Sequence, residues 1–258
     1  MTPSSPASTL LTSSDPAPVS LIGPALSPGP LVLLGDHAGR VFPRALGGMG
    51  LSQLDRARHI ALDLGIEELG RLLSERLNAP FVSQVYSRLV VDCNRDPEAA
   101  GAMPEVSDGT SVPANRVLSR EAREERVRTI QQPYHHAIEE VLDARAEAGL
   151  PTILVALHSF TPVFGGERRV WDAGVLHGGP GDAYGRRVLA LLQERGGWVI
   201  GDNQPYAFNG TDYTIPCHAF PRALSWLELE VRQDRLSSRE QLTEVADWLA
   251  PLLLRAAE

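Results

Sequence analysis

Cysteine is scarce: Cys93 and Cys217 are the only two in 258 residues. Two thiols cannot build a disulfide framework, and their spacing fits no zinc ribbon. A reduced, cytoplasmic protein is the expectation. Long apolar runs are lacking as well, and none approaches the ~20 residues that cross a membrane. Positive charge is not in excess. The net charge of −8 argues against a nucleic-acid groove and against an anionic membrane surface, although a few buried arginines can still make a local site for a small acid. No G-x-G-x-x-G follows a first strand, which disfavours a dinucleotide enzyme. The opening "MTPSSPASTLLTSSDPAPVSLIGPALSPG" has neither a basic start nor a long apolar stretch. It reads as a disordered Ser/Pro-rich tail over residues 1–29, with Leu21 and Ile22 as docking points, and not as a signal peptide.

What is present suits one domain over residues 30–258, with 43% apolar and 22% charged residues. A buried strand is expected at Leu31 to Leu34. Apolar residues recur at helical spacing from Ser52 to Leu77, with Asn78-Ala79-Pro80 as a stop. "FVSQVYSRLVVD" reads as one or two strands, and residues 98–113 as a long surface loop of the kind that often carries function. A helix from about Ser119 should kink or break at Pro133 and end at Gly149. Next come the strand in "TILVALHSFTP", a helix from Tyr184 to Glu194 and the strand "GWVIGD". In "LSWLELEVRQD", Leu227, Leu229 and Val231 alternate with Glu228, Glu230 and Arg232. A last helix begins near Ser237, where Glu240 completes a capping box. This alternation of strands and helices predicts a single α/β domain around a mostly parallel or mixed sheet, with ligands outside the carboxyl ends of its strands.

Polar residues gather at those ends. "VLLGDHAG" supplies Asp36 and His37, "ILVALHSF" supplies His158, and "SRLVVDCNR" supplies Asp92, Asn94 and Arg95. Neutral imidazole is the commonest zinc ligand, and a catalytic zinc needs a third protein ligand plus an open position. No HExxH is present, and His37 opens no HxxE, since Arg40 stands three residues after it.

The ordered set "GDHAGRVFP", "RHIALDLG", "YSRLVVDCNR", "PEVSDGT", "PYHHAI", "LHSFTPV", "GDNQPY", "GTDYTIPCHA" and "LEVRQD" resembles the N-formylglutamate amidohydrolase family, from about residue 35 to 235. That family is similar to the zinc carboxypeptidases and the aspartoacylase group. The resemblance implies a three-layer α/β/α, phosphorylase/hydrolase-like fold and a zinc-dependent amidase acting on a small acidic N-acyl amino acid. Under it, His37 and His158 match the two histidine ligands of Zn2+. Asp63 of "HIALDLG" is the candidate third ligand. Asp36 is its rival, or else a residue that orients a ligand histidine. Glu230 matches the general base, with Glu228 as the alternative on the same face, and Arg88 would stabilise the oxyanion. Asn94 and Arg95 resemble the pair that holds a substrate carboxylate, a task suited to a planar guanidinium fork. Arg232 and Tyr213 are candidates for a second carboxylate, and His218 for the pocket wall. His59, His136 and His177 read as surface or structural residues. The expected reaction is hydrolysis of N-formyl-L-glutamate to formate and glutamate. Other N-acyl amino acids, a small peptide, or a non-catalytic small-acid binder of the same fold are the alternatives.

Overall fold

The computed structural model describes residues 10–258. Along the chain lie β1 (Val19–Ile22), β2 (Leu31–Gly35), α1 (Ile66–Leu77) and β3 (Phe81–Gln84), then a hairpin of β4 (Val106–Ser107) and β5 (Thr110–Ser111). After α2 (Arg120–Arg126), α3 (Gln132–Glu147) and β6 (Ile153–Phe160), a second hairpin pairs β7 (Val163–Phe164) with β8 (Glu167–Arg168). The remainder is β9 (Ala173–Leu176), α4 (Ala183–Arg195), β10 (Ile200–Asp202), α5 (Thr214–His218), β11 (Ser225–Arg232) and α6 (Arg239–Ala257).

Seven strands form one sheet in the order β1-β3-β2-β6-β11-β9-β10. Strands β3, β2, β6 and β11 run parallel, while β1 pairs antiparallel with β3, and β9 antiparallel with β11. The result is the single α/β domain with a mixed sheet that the alternation predicts. Helices α1, α4 and α6 cover one face, packing on Leu31, Leu33, Val155, Leu157, Leu227 and Leu229. Helix α3 and the short α5 cover the other, packing on Val32, Leu34, Leu154, Ala156 and Trp226. Among the described residues no helix is long and apolar enough to cross a membrane.

That second face prepares the site. Along β11 it carries Trp226, then Glu228, then Glu230; along β6 it carries Leu154 and Ala156, then His158; and β2, after Val32 and Leu34, leads to Asp36. Each strand is apolar where a helix covers it and polar where the cover ends. Because β11 lies between β6 and β9, Glu228 and Glu230 are buried on a central strand.

Residues 10–29, expected to belong to a disordered tail, are packed instead; residues 1–9 lie outside the described residues. Leu10 is buried, and Val19–Ile22 forms the edge strand on β3. The fully buried Arg145 donates to the carbonyls of Ala25, Ser27 and Gly29, satisfying backbone that Ser/Pro composition leaves without a regular partner. The helix expected from Ser52 to Leu77 also begins later. Gly65 takes φ +83, and only Ile66–Leu77 is α-helical. The preceding apolar residues Ile60, Ala61 and Leu62 pack into a separate cluster with Met49 and Tyr86. A π-helical turn, Val127–Gln131, precedes Pro133, where the sequence predicts a break. The capping box of α6 lies one residue later than expected, between Ser238 and Gln241.

Candidate active site

At the carboxyl ends of β2 and β6, the rings of His37 and His158 stand 5.0 Å apart with Asp63 between them. Asp63 is not on a helix. It lies in the turn before α1, and its backbone N–H donates to the His37 carbonyl at 2.9 Å. Its Oδ2 is 3.0 Å from His158 Nδ1 and 3.5 Å from His37 Nδ1. One carboxylate oxygen and two Nδ1 atoms therefore converge, and all three residues are buried.

Carboxylates stand behind both rings. His37 Nε2 donates to Asp92 Oδ1 at 2.7 Å, which leaves Nδ1, buried with no hydrogen-bond partner, as the atom that would meet a metal. His158 Nε2 faces Asp36 Oδ2 and Glu228 Oε1, each at 3.4 Å. A carboxylate behind the non-ligating nitrogen fixes the tautomer and raises ligand basicity, as in many metal sites. Asp36, the rival third ligand, thus sits behind His158, with its Oδ1 accepting from Thr214 Oγ1 at 2.8 Å. Two Nδ1 atoms and a carboxylate oxygen, buried and backed by carboxylates, are a donor set that fits zinc.

The charges around this cradle are unevenly titrated. Burial works against the ionised forms of Asp63 and Asp92, yet His37, His158 and Arg88 hold Asp63, and Arg88, His37 and Arg95 hold Asp92, below the usual range. Burial also raises Asp36, but His158 and Thr214 pull it down to about 2. For His37, burial and the Arg88 charge act downward, and Asp92 and Asp63 outweigh them so that the ring is raised; His158 is raised well above its usual value. Two carboxyls go the other way. Burial pushes Glu230 up to about 7 and Glu228 up to about 8, despite the pull of His158.

A cavity of about 310 Å³ opens over the cluster. It is lined by His37, Asp63, Arg88, Asn94, Arg95, His158, Glu228 and Glu230, which are eight of the residues that the sequence nominates or holds in reserve. Glu230 Oε2 is buried there without a partner. Arg88 reaches Asp63 Oδ1 at 3.2 Å and Asp92 Oδ2 at 2.7 Å. Arg95 Nη1 donates to the carbonyls of Asn94 and Thr211, both at 2.9 Å. Asn94 Oδ1 accepts from the backbone of Tyr213 and Thr214, and its Nδ2 donates to Glu228 Oε1 at 3.3 Å.

Three nominated residues do not line this cavity. Arg232 is bound to Asp172 and Asp234 beyond the end of β11. His218 is fully buried against His135, and Tyr213 packs edge-on against the same His135 ring.

Others enter that the sequence left without a role. Asp92 stood in a quoted block, yet nothing in its spacing shows that it backs His37. His59 lines the cavity with Nε2 3.3 Å from Asp108 Oδ2, in the wall built by the long 98–113 loop. Tyr206, of the "GDNQPY" block, also lines it.

The sequence pattern of the N-formylglutamate amidohydrolases matches residues 29–237. A gene product of Agrobacterium tumefaciens is 32% identical and superposes with a TM-score of 0.91, over 96% of this chain and 98% of that one. The N-formylglutamate amidohydrolase of Ralstonia eutropha has the same fold at 21% identity and a TM-score of 0.63, over 93% of this chain and 97% of that one. No curated protein matches. With the matched span running from just before β2 to just past β11, the chain belongs to the N-formylglutamate amidohydrolase family.

Proposed function

We propose that this protein hydrolyses the N-formyl amide of N-formyl-L-glutamate to formate and glutamate, with a zinc ion held by His37, Asp63 and His158. The observation that supports this best is the pairing of the convergent Nδ1, Nδ1 and Oδ2 atoms with a buried, unpartnered Glu230 in the same cavity. Zinc, when bound, supplies Lewis acidity that polarises the amide carbonyl and acidifies water.

The remaining chemistry belongs to the chain. Glu230 accepts a proton from the attacking water and delivers it to the leaving nitrogen as the C–N bond breaks. A carboxyl raised to about 7 is matched to both halves of that transfer near neutral pH. Arg88, kept cationic by Asp92 and Asp63, donates to the oxyanion that develops on the formyl oxygen as water adds to the formyl carbon. Arg95 takes the substrate α-carboxylate. Its Nε and Nη2 hydrogens have no acceptor among the described residues, while Nη1 is fixed by two carbonyls. Asn94 offers its second amide hydrogen to the same carboxylate. Tyr213 and His218 act from behind this wall, and Arg232 pins the end of β11. Both cysteines are free, in keeping with a reducing cytoplasmic setting.

The test is formate release from N-formyl-L-glutamate by purified protein, with zinc added and again after chelation. Zinc-dependent release is expected. Bound zinc without release would transfer the proposal to another N-acyl amino acid, and neither zinc binding nor release would overturn it.

A further inference from the structure

A dianionic substrate needs a second cation, and the cations at this cavity are largely committed. Arg88 lies between Asp63 and Asp92; Arg95, 3.6 Å from Asp212, is given to the first carboxylate; Arg58, outside the lining, lies between Asp55 and Asp108, and Arg232 is tied to Asp172 and Asp234 away from the cavity. Arg169 differs. It is half-buried, and among the described residues no carboxylate lies within ion-pair distance of it. Its guanidinium carbon is 4.6 Å from the Tyr206 ring centroid, 4.7 Å from that of Phe164 and 5.7 Å from that of Phe160. Its Nη1 donates to Tyr206 Oη at 3.0 Å and to the Thr161 carbonyl at 3.4 Å. Those four neighbours all line the cavity, and Arg169, outside the lining, borders it through them.

We infer that Arg169 and Tyr206 form a carboxylate-binding point at the cavity mouth that selects substrates with an anionic side chain. This rests on the hydrolase reading of the same site and names what that site discriminates. Three π faces order the guanidinium and remove part of its water without neutralising it, so its anionic partner comes with the ligand. Its Nε and Nη2 hydrogens remain in the fork geometry that a carboxylate accepts. The Tyr206 hydroxyl accepts from Arg169 and keeps its own proton to give. Burial, together with the charge of Glu230, keeps that phenol protonated.

Position assigns this point to the distal carboxylate. Tyr206 lines the same cavity as Arg95 and Glu230, and Arg169 donates to its hydroxyl, so with the α-carboxylate given to Arg95 the second carboxylate falls to Arg169. The loop that carries Tyr206 is seated closely on the sheet. A Cβ on Gly174 or Gly201 would run into the Gln204 carbonyl, so bare backbone at both positions lets the loop lie there.

The discriminating experiment is calorimetric binding of L-glutamate and L-glutamine to the zinc-loaded protein, in the natural chain and in Arg169→Gln and Tyr206→Phe, with thermal melts as a fold control. We expect the natural chain to prefer glutamate by at least about ten-fold. Arg169→Gln should lose that preference while glutamine binding stays within about two-fold, and Tyr206→Phe should lose part of it. In turnover, Arg169→Gln should raise KM for N-formyl-L-glutamate with little change in kcat. A preference that survives Arg169→Gln in a folded protein overturns the inference, and so does equal binding of the two amino acids, or binding of neither, by the natural chain. An Arg169-dependent preference for glutamate in zinc-loaded protein that releases no formate would move the reaction to another N-acyl acid and leave the carboxylate point standing.

Discussion

Among the described residues, two groups of histidines bring together donors that could hold a metal: His37 and His158 with Asp63, and His135 and His218 with Cys217. What lies behind the rings separates them. In the first, carboxylates back both imidazoles, both rings are raised in pKa, and their Nδ1 atoms turn toward one acidic oxygen. In the second, His135 Nε2 is 3.0 Å from the Cys93 carbonyl, which can only accept, so that nitrogen carries the proton. His135 Nδ1 must then accept from His218 Nε2 at 2.8 Å, and the two rings use their facing nitrogens on each other. Burial lowers His135, and lowers His218 to about 3. One group is a negative cradle into which a cation fits. The other is a neutral pair that closes a buried hydrogen-bond chain. Proximity of donors does not distinguish the two groups, but the partner of the second ring nitrogen does.

The comparison is sharpened most by removing a ligand. His158→Ala or His37→Ala should take bound zinc from one per chain to none by elemental analysis, and lower formate release by at least about a thousand-fold. Glu230→Gln should keep the zinc yet reduce kcat by about 10²–10⁴, which separates proton transfer from metal binding in one variant. Asp92→Asn removes the acceptor behind His37, and zinc affinity in a chelator competition should fall by about 10–100-fold.

The pH profile gives a milder test. Only ionised Glu230 accepts a proton, so kcat/KM should fall as pH drops through its pKa. That pKa is raised by burial to about 7 in the metal-free protein and is lowered again by a nearby cation. The acid limb should therefore lie at or below about 7 and be missing from the residual activity of Glu230→Gln. The smallest effect on metal is expected for His218→Asn. This should cost about 1–3 kcal/mol of stability through the broken His–His bond, read as a lower Tm, with zinc stoichiometry unchanged. Loss of zinc in that variant would erase the distinction between the two groups.

Much of this was legible along the strands. The order Trp226, Glu228, Glu230 on one side of β11, with leucines and valine on the other, announces a strand whose one face turns from core to chemistry, and His158 follows Leu154 and Ala156 in the same way. The turns were harder. Apolar residues from Leu54 to Leu64 mimic a helix in spacing, but Gly65 at φ +83 separates them from α1, and they pack a different cluster. Asp63 therefore reaches the site from a turn that periodicity cannot reveal. Arg169 gives no pattern signal either. Its Tyr206 partner lies 37 residues further along, and what marks it is a missing counterion, visible only in three dimensions. The chain contains no lysine, so all 24 of its basic side chains are arginines, and counting charges cannot single one out.

The pairing of β11 with β6 sets Glu230 directly beside His158, and Glu228 beside Ala156. Strand registers change only in whole residues, and a slip of one would replace Glu230 by Val231 and turn both acids into the apolar layer beneath α4. The spacing between proton acceptor and metal-facing ring is therefore discrete: the strands offer this one or lose the acid altogether, with nothing graded between. The leucines and the valine of β11, far too apolar to touch a substrate, thus act as the gauge of the reaction. A core variant that loosened their packing would be expected to divide the molecules into competent and incompetent fractions, and not to slow each of them a little.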